Sequence, residues 1–229
     1  MSINYIKGNI FTSNADVLVN PVNCVGVMGA GLALEFRLRY PDMFIKYADI
    51  CEKKLLTPGK LWVFNGDNKR ILNFPTKIDW KAKTKKEYLV KGLSKFADTY
   101  EEKRISSIAF PLLGADRGGL SHSTSLEIML SFLEPLNIDI EIYEYISTAH
   151  DDLFIDIKNL LLTTSLEVFS HETGIKKYIL ENIYQAVKSK KYYQVNQLLS
   201  IEGVGVASLE KIFNFYNSSS KPKLQQSLF

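Results

Sequence analysis

The residue types best suited to chemistry are concentrated in residues 20–36, which carry two asparagines and a glycine-rich stretch. An apolar run at residues 17–19 comes just before, Gly26, Gly29 and Gly31 follow, and a helical pattern begins directly afterwards. Glycines let backbone N–H groups approach an anion, and the start of a helix adds the positive end of its dipole. The stretch therefore fits a phosphate-binding loop, although an ordinary strand-to-helix turn has the same glycines. It matches neither GxxxxGK[ST] nor GxGxxG.

Three further segments carry similar chemistry. Residues 7–10 read Lys-Gly-Asn-Ile, residues 73–77 read Asn-Phe-Pro-Thr-Lys, and residues 111–120 form a second glycine-rich loop. In this order, together with residues 20–36, they resemble a macrodomain, the ADP-ribose-binding fold. The resemblance covers roughly residues 1–146 and implies a pocket for an adenine, a diphosphate and a distal ribose.

The resemblance implies a set of pocket residues, in which backbone amides of the two glycine loops clamp the diphosphate. The implied ADP-ribose contacts are Asn9, Ile10, Asn20, Gly26, Val27, Met28, Gly29, Gly31, Thr76, Gly114, Ala115, Arg117, Gly118, Gly119, Leu120 and Tyr143. Asn23 is expected to hold the hydroxyls of the distal ribose. Tyr143 matches an aromatic residue that lies against the adenine, and packing in the core is its alternative role.

Two positions depart from the family pattern. Asn9 replaces the acidic residue that accepts a hydrogen bond from the adenine amino group, and an amide oxygen accepts without charge assistance. Asp116 stands where close relatives carry glycine. A carboxylate there repels a diphosphate unless it points at the ribose or pairs with Arg117.

Residues 73–77, with Trp80 three positions later, decide the branch of the family. They resemble the branch that holds the DNA ADP-ribosyl glycohydrolase antitoxins and eukaryotic enzymes that clear ADP-ribose from acidic side chains. The lysine that matches Lys77 is catalytic in that branch, because its amine can attack the opened sugar or stabilise the leaving group. Lys77, Asn23 and Asp116 are therefore the candidate catalytic residues, and an ordinary surface lysine is the alternative for Lys77.

Two function classes follow from the resemblance. The first is a hydrolase that removes ADP-ribose from DNA bases, with removal from acidic protein side chains as an alternative substrate class. The second is a module that binds ADP-ribose without chemistry. ADP-ribosylated DNA and an ADP-ribosyltransferase toxin are the expected partners, and neither a cofactor nor a metal is expected.

Composition indicates a globular chain, with 46% apolar and 23% charged residues among 229. No apolar run approaches the ~20 residues that span a bilayer, so we expect a cytoplasmic protein without membrane contact. Cys24 and Cys51 lie in no metal-binding spacing, and Cys24 reads as either a buried filler or a reactive thiol in the ligand loop. Residues 174–229 hold eight Lys and three Glu, a surplus of five positive charges, which leaves residues 1–173 at −2 within the net charge of +3.

Local patterns predict strands alternating with helices, a three-layer α/β/α fold with a mixed sheet. The strands are predicted at residues 3–6, 17–20, 60–64, 70–74, 105–110 and 138–142. The third and fourth strands are predicted to form a hairpin, because a turn that contains Gly66 lies between them. Helices are predicted after the first glycine loop, over residues 42–53, and after capping boxes at residues 84–87 and 124–127. Two more are predicted over residues 151–162 and 174–189.

The predicted domains are a macrodomain at residues 1–147, a helical region at residues 148–217, and a flexible tail from residue 218. Residues 192–216 resemble a helix-hairpin-helix motif, in which Gly203 and Gly205 would offer backbone amides to a DNA phosphate. A bare helical packing unit would look similar. Residues 225–229, Gln-Gln-Ser-Leu-Phe, resemble the peptide by which bacterial repair proteins dock on the sliding clamp, with a frayed terminus as the alternative.

Overall fold

The computed structural model describes residues 2–220, and its contacts divide the chain into two units after Ala149. Within the described residues of the first unit, six strands form one sheet in the order β1-β6-β5-β2-β4-β3. The strands are β1 Ile3–Gly8, β2 Val17–Val22, β3 Trp62–Asn65, β4 Arg70–Pro75, β5 Ser107–Pro111 and β6 Asp139–Tyr145. All neighbours pair in parallel except β3 and β4, which are antiparallel. The predicted mixed-sheet fold class is confirmed.

Strand β2 shows why the sheet needs helices on both of its faces. Val17 and Val19 belong to one buried cluster and Leu18 belongs to another, and all three are at most 1% exposed. The helices of this unit are α1 Gly31–Arg39, α2 Pro41–Glu52, α3 Lys86–Thr99 and α4 His122–Leu133. Residues of α1 and α2 join the cluster of Leu18, and residues of α3 and α4 join the other. A uniformly apolar strand is therefore buried on both sides, as its sequence predicts.

Both predicted capping boxes of the first unit are wrong. Helix α3 begins after Lys85, whose side chain makes no capping bond, while the N–H of Thr84 donates to the Gly118 carbonyl at 2.9 Å. Helix α4 begins three residues earlier than expected, because Ser121 accepts from the Thr124 N–H at 3.1 Å. The hydrogen bond of Thr84 to the second glycine loop accounts for the start of α3. The capping bond of Ser121, which directly follows that loop, accounts for the start of α4.

The second unit is helical in its described part. Its helices are α5 Asp152–Thr163, α6 Leu166–Thr173, α7 Lys177–Lys188 and α8 Val206–Ser220. The single helix predicted over residues 174–189 is shorter, since Gly174 adopts φ +61° and ends α6. The first arm of the predicted helical pair is a 3-10 helix, Val195–Ser200.

Helix α8 also contains residues 218–220, where the flexible tail was expected to begin. The clamp-like peptide at residues 225–229 lies outside the described residues. No helix in the described part of the chain combines the length and the apolar character that crossing a membrane requires.

Candidate functional site

The side chain of Asn23 organises the first glycine loop. Its Oδ1 accepts from the backbone N–H groups of Val25 at 3.0 Å and Val27 at 3.3 Å, and its Nδ2 donates to the Val27 carbonyl at 2.5 Å. The buried Tyr47 hydroxyl donates to the Asn23 carbonyl at 2.8 Å. Both polar atoms of the side chain therefore hold the loop in shape. The predicted contact with the distal ribose stays a prediction, and it requires some of these bonds to open.

Asn20 and Met28 lie beneath this loop, and both are completely buried. The Nδ2 of Asn20 donates to Asn73 Oδ1 at 2.9 Å, which links β2 to β4 below the site. Thr76 is also buried, and its N–H donates to the Val22 carbonyl at 2.9 Å. These three predicted contacts thus have clear structural roles, and their contacts with ADP-ribose stay predictions.

The glycines of the first loop differ in what they contribute. Gly26 has φ +79° and Gly31 has φ +57°, so both adopt a backbone that other residues rarely reach. A Cβ on Gly29 would meet only Val27, at 3.8 Å. Gly31 is the first residue of α1, and Ala30 before it provides no capping side chain. The first N–H groups of α1 are therefore not satisfied by a side-chain cap, as an anion site requires.

The second glycine loop packs tightly around the buried Thr84. A Cβ on Gly114 would lie 2.7 Å from Thr84 Cγ2, and one on Gly118 would lie 2.7 Å from Thr84 Oγ1. Gly119 has φ +81°, and the Leu120 N–H donates to the Gly114 carbonyl at 3.0 Å. These glycines are thus needed for packing in addition to any contact with a ligand. The sequence pattern presents Thr84 as a helix cap and does not reveal this role.

Asp116 occupies a left-handed backbone conformation, with φ +44°. Its Oδ1 lies 3.1 Å from His122 Nε2, and His122 Nδ1 lies 3.6 Å from Glu144 Oε1. The carboxylate therefore meets His122 rather than Arg117. Neither His122 nor Glu144 was singled out from sequence, because nothing local connects them to the loop.

Lys77 lies where the two loops meet. Its Nζ donates to the carbonyl oxygen of Arg117, and its own carbonyl oxygen lies 3.3 Å from the Cys24 sulfur. Arg117 Nε lies 3.3 Å from the position of a Cβ on Gly31, so the second loop reaches the start of α1. The structure thus brings together Lys77, Arg117 and both glycine loops, although they are far apart in the sequence.

The surroundings of Lys77 lower the pKa of its amine. Burial lowers the pKa of the Lys77 amine, and the nearby Arg117 guanidinium lowers this pKa further. Burial raises the pKa of the Cys24 thiol to about 11, so this thiol is protonated near neutral pH. The Lys77 amine stays the candidate nucleophile, and the half-buried Cys24 fits a packing role with a protonated thiol.

The expected adenine end of the site is built by β1, β6 and the 3-10 helix Ile10–Thr12. Asn9 Oδ1 accepts from the Phe11 N–H at 3.1 Å, and Ile10 is buried. Tyr143 is 6% exposed and its hydroxyl donates to Glu141 Oε2 at 3.1 Å. Tyr143 therefore has the core-packing role, while contacts of Asn9 and Tyr143 with adenine stay predictions.

The remaining predicted positions vary in exposure. Val27 is 37% exposed at the loop surface and Ala115 is buried. In the second unit, Gly203 has φ +80° and packs on Ile179, while a Cβ on Gly205 would meet no atom within 4 Å. The start of α8 is therefore open beside Gly205, and its contact with DNA stays a prediction.

Comparisons with known proteins agree with this architecture. The family model for the Macro domain matches residues 19–129. The chain is 39% identical over 146 residues to a DNA ADP-ribosyl glycohydrolase of Mycobacterium tuberculosis, a match that covers 62% of this chain and 42% of that protein. It is 32% identical over 161 residues to a protein of the same name from Thermus aquaticus, covering 68% of this chain and 45% of that protein. The chain thus spans less than half the length of these curated relatives.

Solved structures give the same assignment. The macrodomain of Mycobacterium tuberculosis DarG aligns with a TM-score of 0.60 at 39% identity, covering 62% of this chain and 97% of that one. Thermosipho africanus DarTG in complex with ADP-ribose aligns with a TM-score of 0.58 at 32% identity, covering 66% of this chain and 44% of that one. The chain therefore belongs to the macrodomain family and is related to the DarG DNA ADP-ribosyl glycohydrolases.

Proposed function

We propose that the first unit is a hydrolase that removes ADP-ribose from ADP-ribosylated DNA bases, with Lys77 as the catalytic residue. The observation that carries this proposal is the position of the Lys77 amine against Arg117, between the two glycine loops, with its pKa lowered. A lysine used as a nucleophile must lose its proton, and burial beside another cation favours that loss. The relatives named DNA ADP-ribosyl glycohydrolases support the choice of reaction.

The two loops supply the binding step. The uncapped start of α1 at Gly31 and the guanidinium of Arg117 lie close together and favour a diphosphate. The relative that was solved in complex with ADP-ribose supports this ligand. A diphosphate held at this point would direct the distal ribose toward Lys77 and Asn23.

The chemical step then follows from the position of the amine. The Nζ lone pair forms a bond to the anomeric carbon while the bond from that carbon to the DNA base breaks, and its electron pair leaves with the base. The departing base takes a proton from the newly bonded nitrogen, and the ribose ring opens so that this carbon and Nζ form an imine. Water then adds to the imine carbon, the carbon–Nζ bond breaks, and ADP-ribose and the free lysine are released. If Lys77 acts only as an ammonium, it stabilises the departing base and water attacks directly.

Two alternatives keep specific support. An ester of ADP-ribose with an acidic protein side chain would place the same anomeric carbon beside Lys77. A binding module without chemistry is favoured by the neutral Asn9 and by Asp116, whose negative charge opposes a diphosphate. We favour DNA because residues 174–229 carry the basic surplus and Gly205 leaves the start of α8 open to a phosphate.

We further propose a toxin partner that adds ADP-ribose to DNA. A relative from Thermosipho africanus is named as a fusion of a DNA ADP-ribosyl transferase with a DNA ADP-ribosyl glycohydrolase, and the chain is 31% identical to it over 179 residues. Residues 225–229 remain a proposed peptide for docking on the sliding clamp.

The test is release of ADP-ribose from an ADP-ribosylated thymidine oligonucleotide and from a glutamate-ADP-ribosylated protein. We expect release from the oligonucleotide, loss of turnover in Lys77→Ala, and an ADP-ribose affinity that stays within about tenfold of the native value. Lys95→Ala, at an exposed position on α3, is the matched control and should keep the native turnover and the native ADP-ribose affinity. Equal losses of turnover and affinity in Lys77→Ala would reduce Lys77 to a ligand contact.

A borohydride trap separates the two routes for Lys77. A stable adduct on the native chain that is missing in Lys77→Ala would support attack by the amine. Loss of turnover without any adduct would favour the electrostatic role. Calorimetry that detects no binding of ADP-ribose would overturn the proposed function as a whole.

A further inference from the structure

The segment that follows Lys77 exposes large apolar side chains next to the site. Ile78 is 51% exposed and Trp80 is 52% exposed. An exposed tryptophan is unusual in a protein surface, because its large ring gains more from burial than most side chains do. We call residues 78–84 the strap, since they connect the site to the beginning of α3.

The strap is fixed to both glycine loops. At one end the Cys24 N–H of the first loop donates to the Ile78 carbonyl at 2.9 Å, and at the other the Thr84 N–H donates to the Gly118 carbonyl at 2.9 Å. Between them, Asp79 Oδ1 accepts from the Lys81 N–H at 2.8 Å. Trp80 therefore lies in a hydrogen-bonded turn that follows Lys77 in the chain.

Lysines are concentrated in the strap and directly on either side of it. Residues 77–86 hold five lysines and one acidic residue, Asp79. The Lys81 Nζ lies 5.1 Å from the centroid of the Trp80 ring, and the Lys83 side chain approaches to 3.6 Å from the position of a Cβ on Gly119. An exposed aromatic ring with lysines close by is an arrangement with which proteins bind single-stranded nucleic acid.

We propose that the strap binds single-stranded DNA, with an unpaired base stacked on Trp80 and the neighbouring phosphates held by Lys81 and Lys83. This proposal rests on the proposed function, because it explains how a modified base is brought to Lys77. Two residues lie between Lys77 and Trp80, so their Cα atoms lie within roughly 11 Å of each other. A strand stacked on Trp80 would thus present a nearby base to the amine.

Charge and shape favour a DNA strand over an acidic peptide. Carboxylates would pair with the lysines but would leave the face of the indole unused, whereas every nucleobase has a flat surface that stacks on it. Duplex DNA is disfavoured for the same reason, because its bases are already stacked on one another. The strap therefore selects strands with at least one unpaired base.

The test uses the full chain and unmodified oligothymidine, so it does not depend on hydrolysis. The chain has two tryptophans, and Trp62→Phe leaves Trp80 as the single tryptophan, whose fluorescence can be excited separately from that of tyrosine. We expect the oligonucleotide to quench this fluorescence and Trp80→Ala to weaken binding about tenfold, while Trp80→Phe keeps a stacking ring and retains most of the affinity. Replacing Lys81 and Lys83 together by Ser should reduce the slope of log affinity against log salt by about 1.4.

Matched controls are Ile45→Ala, at a side chain that is 66% exposed on α2, and Lys95→Ser on α3. Both should bind the oligonucleotide as the native chain does. Unchanged Trp80 fluorescence at saturating oligonucleotide, or native affinity in Trp80→Ala, would overturn the proposal. So would stronger binding of polyglutamate than of oligothymidine, since the strap would then be a peptide surface.

The two proposals fail separately. Normal release of ADP-ribose with no quenching of Trp80 would refute the strap proposal alone. Normal quenching with no release from any modified substrate would refute the proposed function alone. Thermal melting of the variants at Trp80, Lys81 and Lys83, which should match that of their parent chain because these side chains are exposed, excludes misfolding as the cause.

Discussion

Asp116 gives the sharpest test of how the second loop binds a diphosphate. Its backbone has φ +44°, and its carboxylate is 58% exposed beside a half-exposed His122. Replacing it by glycine removes both the backbone strain and the negative charge, whereas Asp116→Asn removes the charge alone. The pair of variants therefore separates the effect of strain on stability from the effect of charge on binding.

The expected change in stability is small because three contributions oppose one another. Relief of the left-handed conformation stabilises Asp116→Gly by about 1 kcal/mol. The greater freedom of glycine in the unfolded chain costs about 0.4–1 kcal/mol. Loss of the exposed pair with His122 costs at most about 1 kcal/mol. The free energy of unfolding should therefore stay within about 1 kcal/mol of the native value.

The expected change in affinity is larger and has a definite sign. Two phosphate charges at roughly 7 Å from the carboxylate would repel it by about 1 kcal/mol in water, which corresponds to about fivefold in Kd. Both variants should therefore bind ADP-ribose more tightly, and the gain should shrink as added salt screens the charges.

Calorimetry at low and high salt measures this gain, and thermal melting measures the stability. We expect both variants to bind ADP-ribose more tightly than the native chain. The two variants should differ from each other only in stability. Weaker binding in Asp116→Asn would refute the reasoning. It would show that the carboxylate contacts the ligand, as a catalytic Asp116 on the distal ribose would.

Three further predictions concern the lysine, the first loop and the second unit. Because burial lowers the pKa of Lys77, kcat/KM should rise with pH along a limb below the ordinary lysine value of about 10.4, and Lys77→Ala should lose this limb. Between the lowered pKa of Lys77 in the folded chain and its ordinary pKa in the unfolded chain, the unfolded chain binds more protons at Lys77. The unfolding free energy of the native chain should therefore rise with pH in this range relative to that of Lys77→Ala. Gly29→Ala should abolish ADP-ribose binding and leave the melting temperature unchanged. Gly31→Ala should abolish binding and also lower the melting temperature, because Gly31 has φ +57°. ADP-ribose binding by Gly29→Ala would show that the phosphates bind elsewhere. Removal of residues 150–229 should leave the affinity for ADP-ribose unchanged, weaken binding to long duplex DNA, and reduce the salt dependence of that binding. An unchanged affinity for duplex DNA would show that residues 150–229 serve in packing and not in DNA binding.

Much of the fold follows from patterns that neighbouring residues share. The apolar run of β2 predicts burial on both faces, and the turn glycine Gly66 predicts the antiparallel pair of β3 and β4, which the structure contains. These features depend on side-chain periodicity and on backbone freedom within a few residues, so a single sequence is enough to identify them. Helix starts were less predictable. The residues that fit a capping box at Thr84 are overruled by the packing of Thr84 against Gly114 and Gly118.

The site shows the same division. The sequence by itself determined which segments carry glycine, asparagine and lysine, and their resemblance to a macrodomain predicted that residues 20–36 and 73–77 belong to one pocket. Only the tertiary structure decided that Lys77 meets the carbonyl of Arg117, 40 residues away, and that Asp116 meets His122 instead of Arg117. Such contacts depend on how loops at the ends of parallel strands close over one another. Local propensity carries no information about that closure, because the partners become neighbours only when β2, β4 and β5 pair in one sheet.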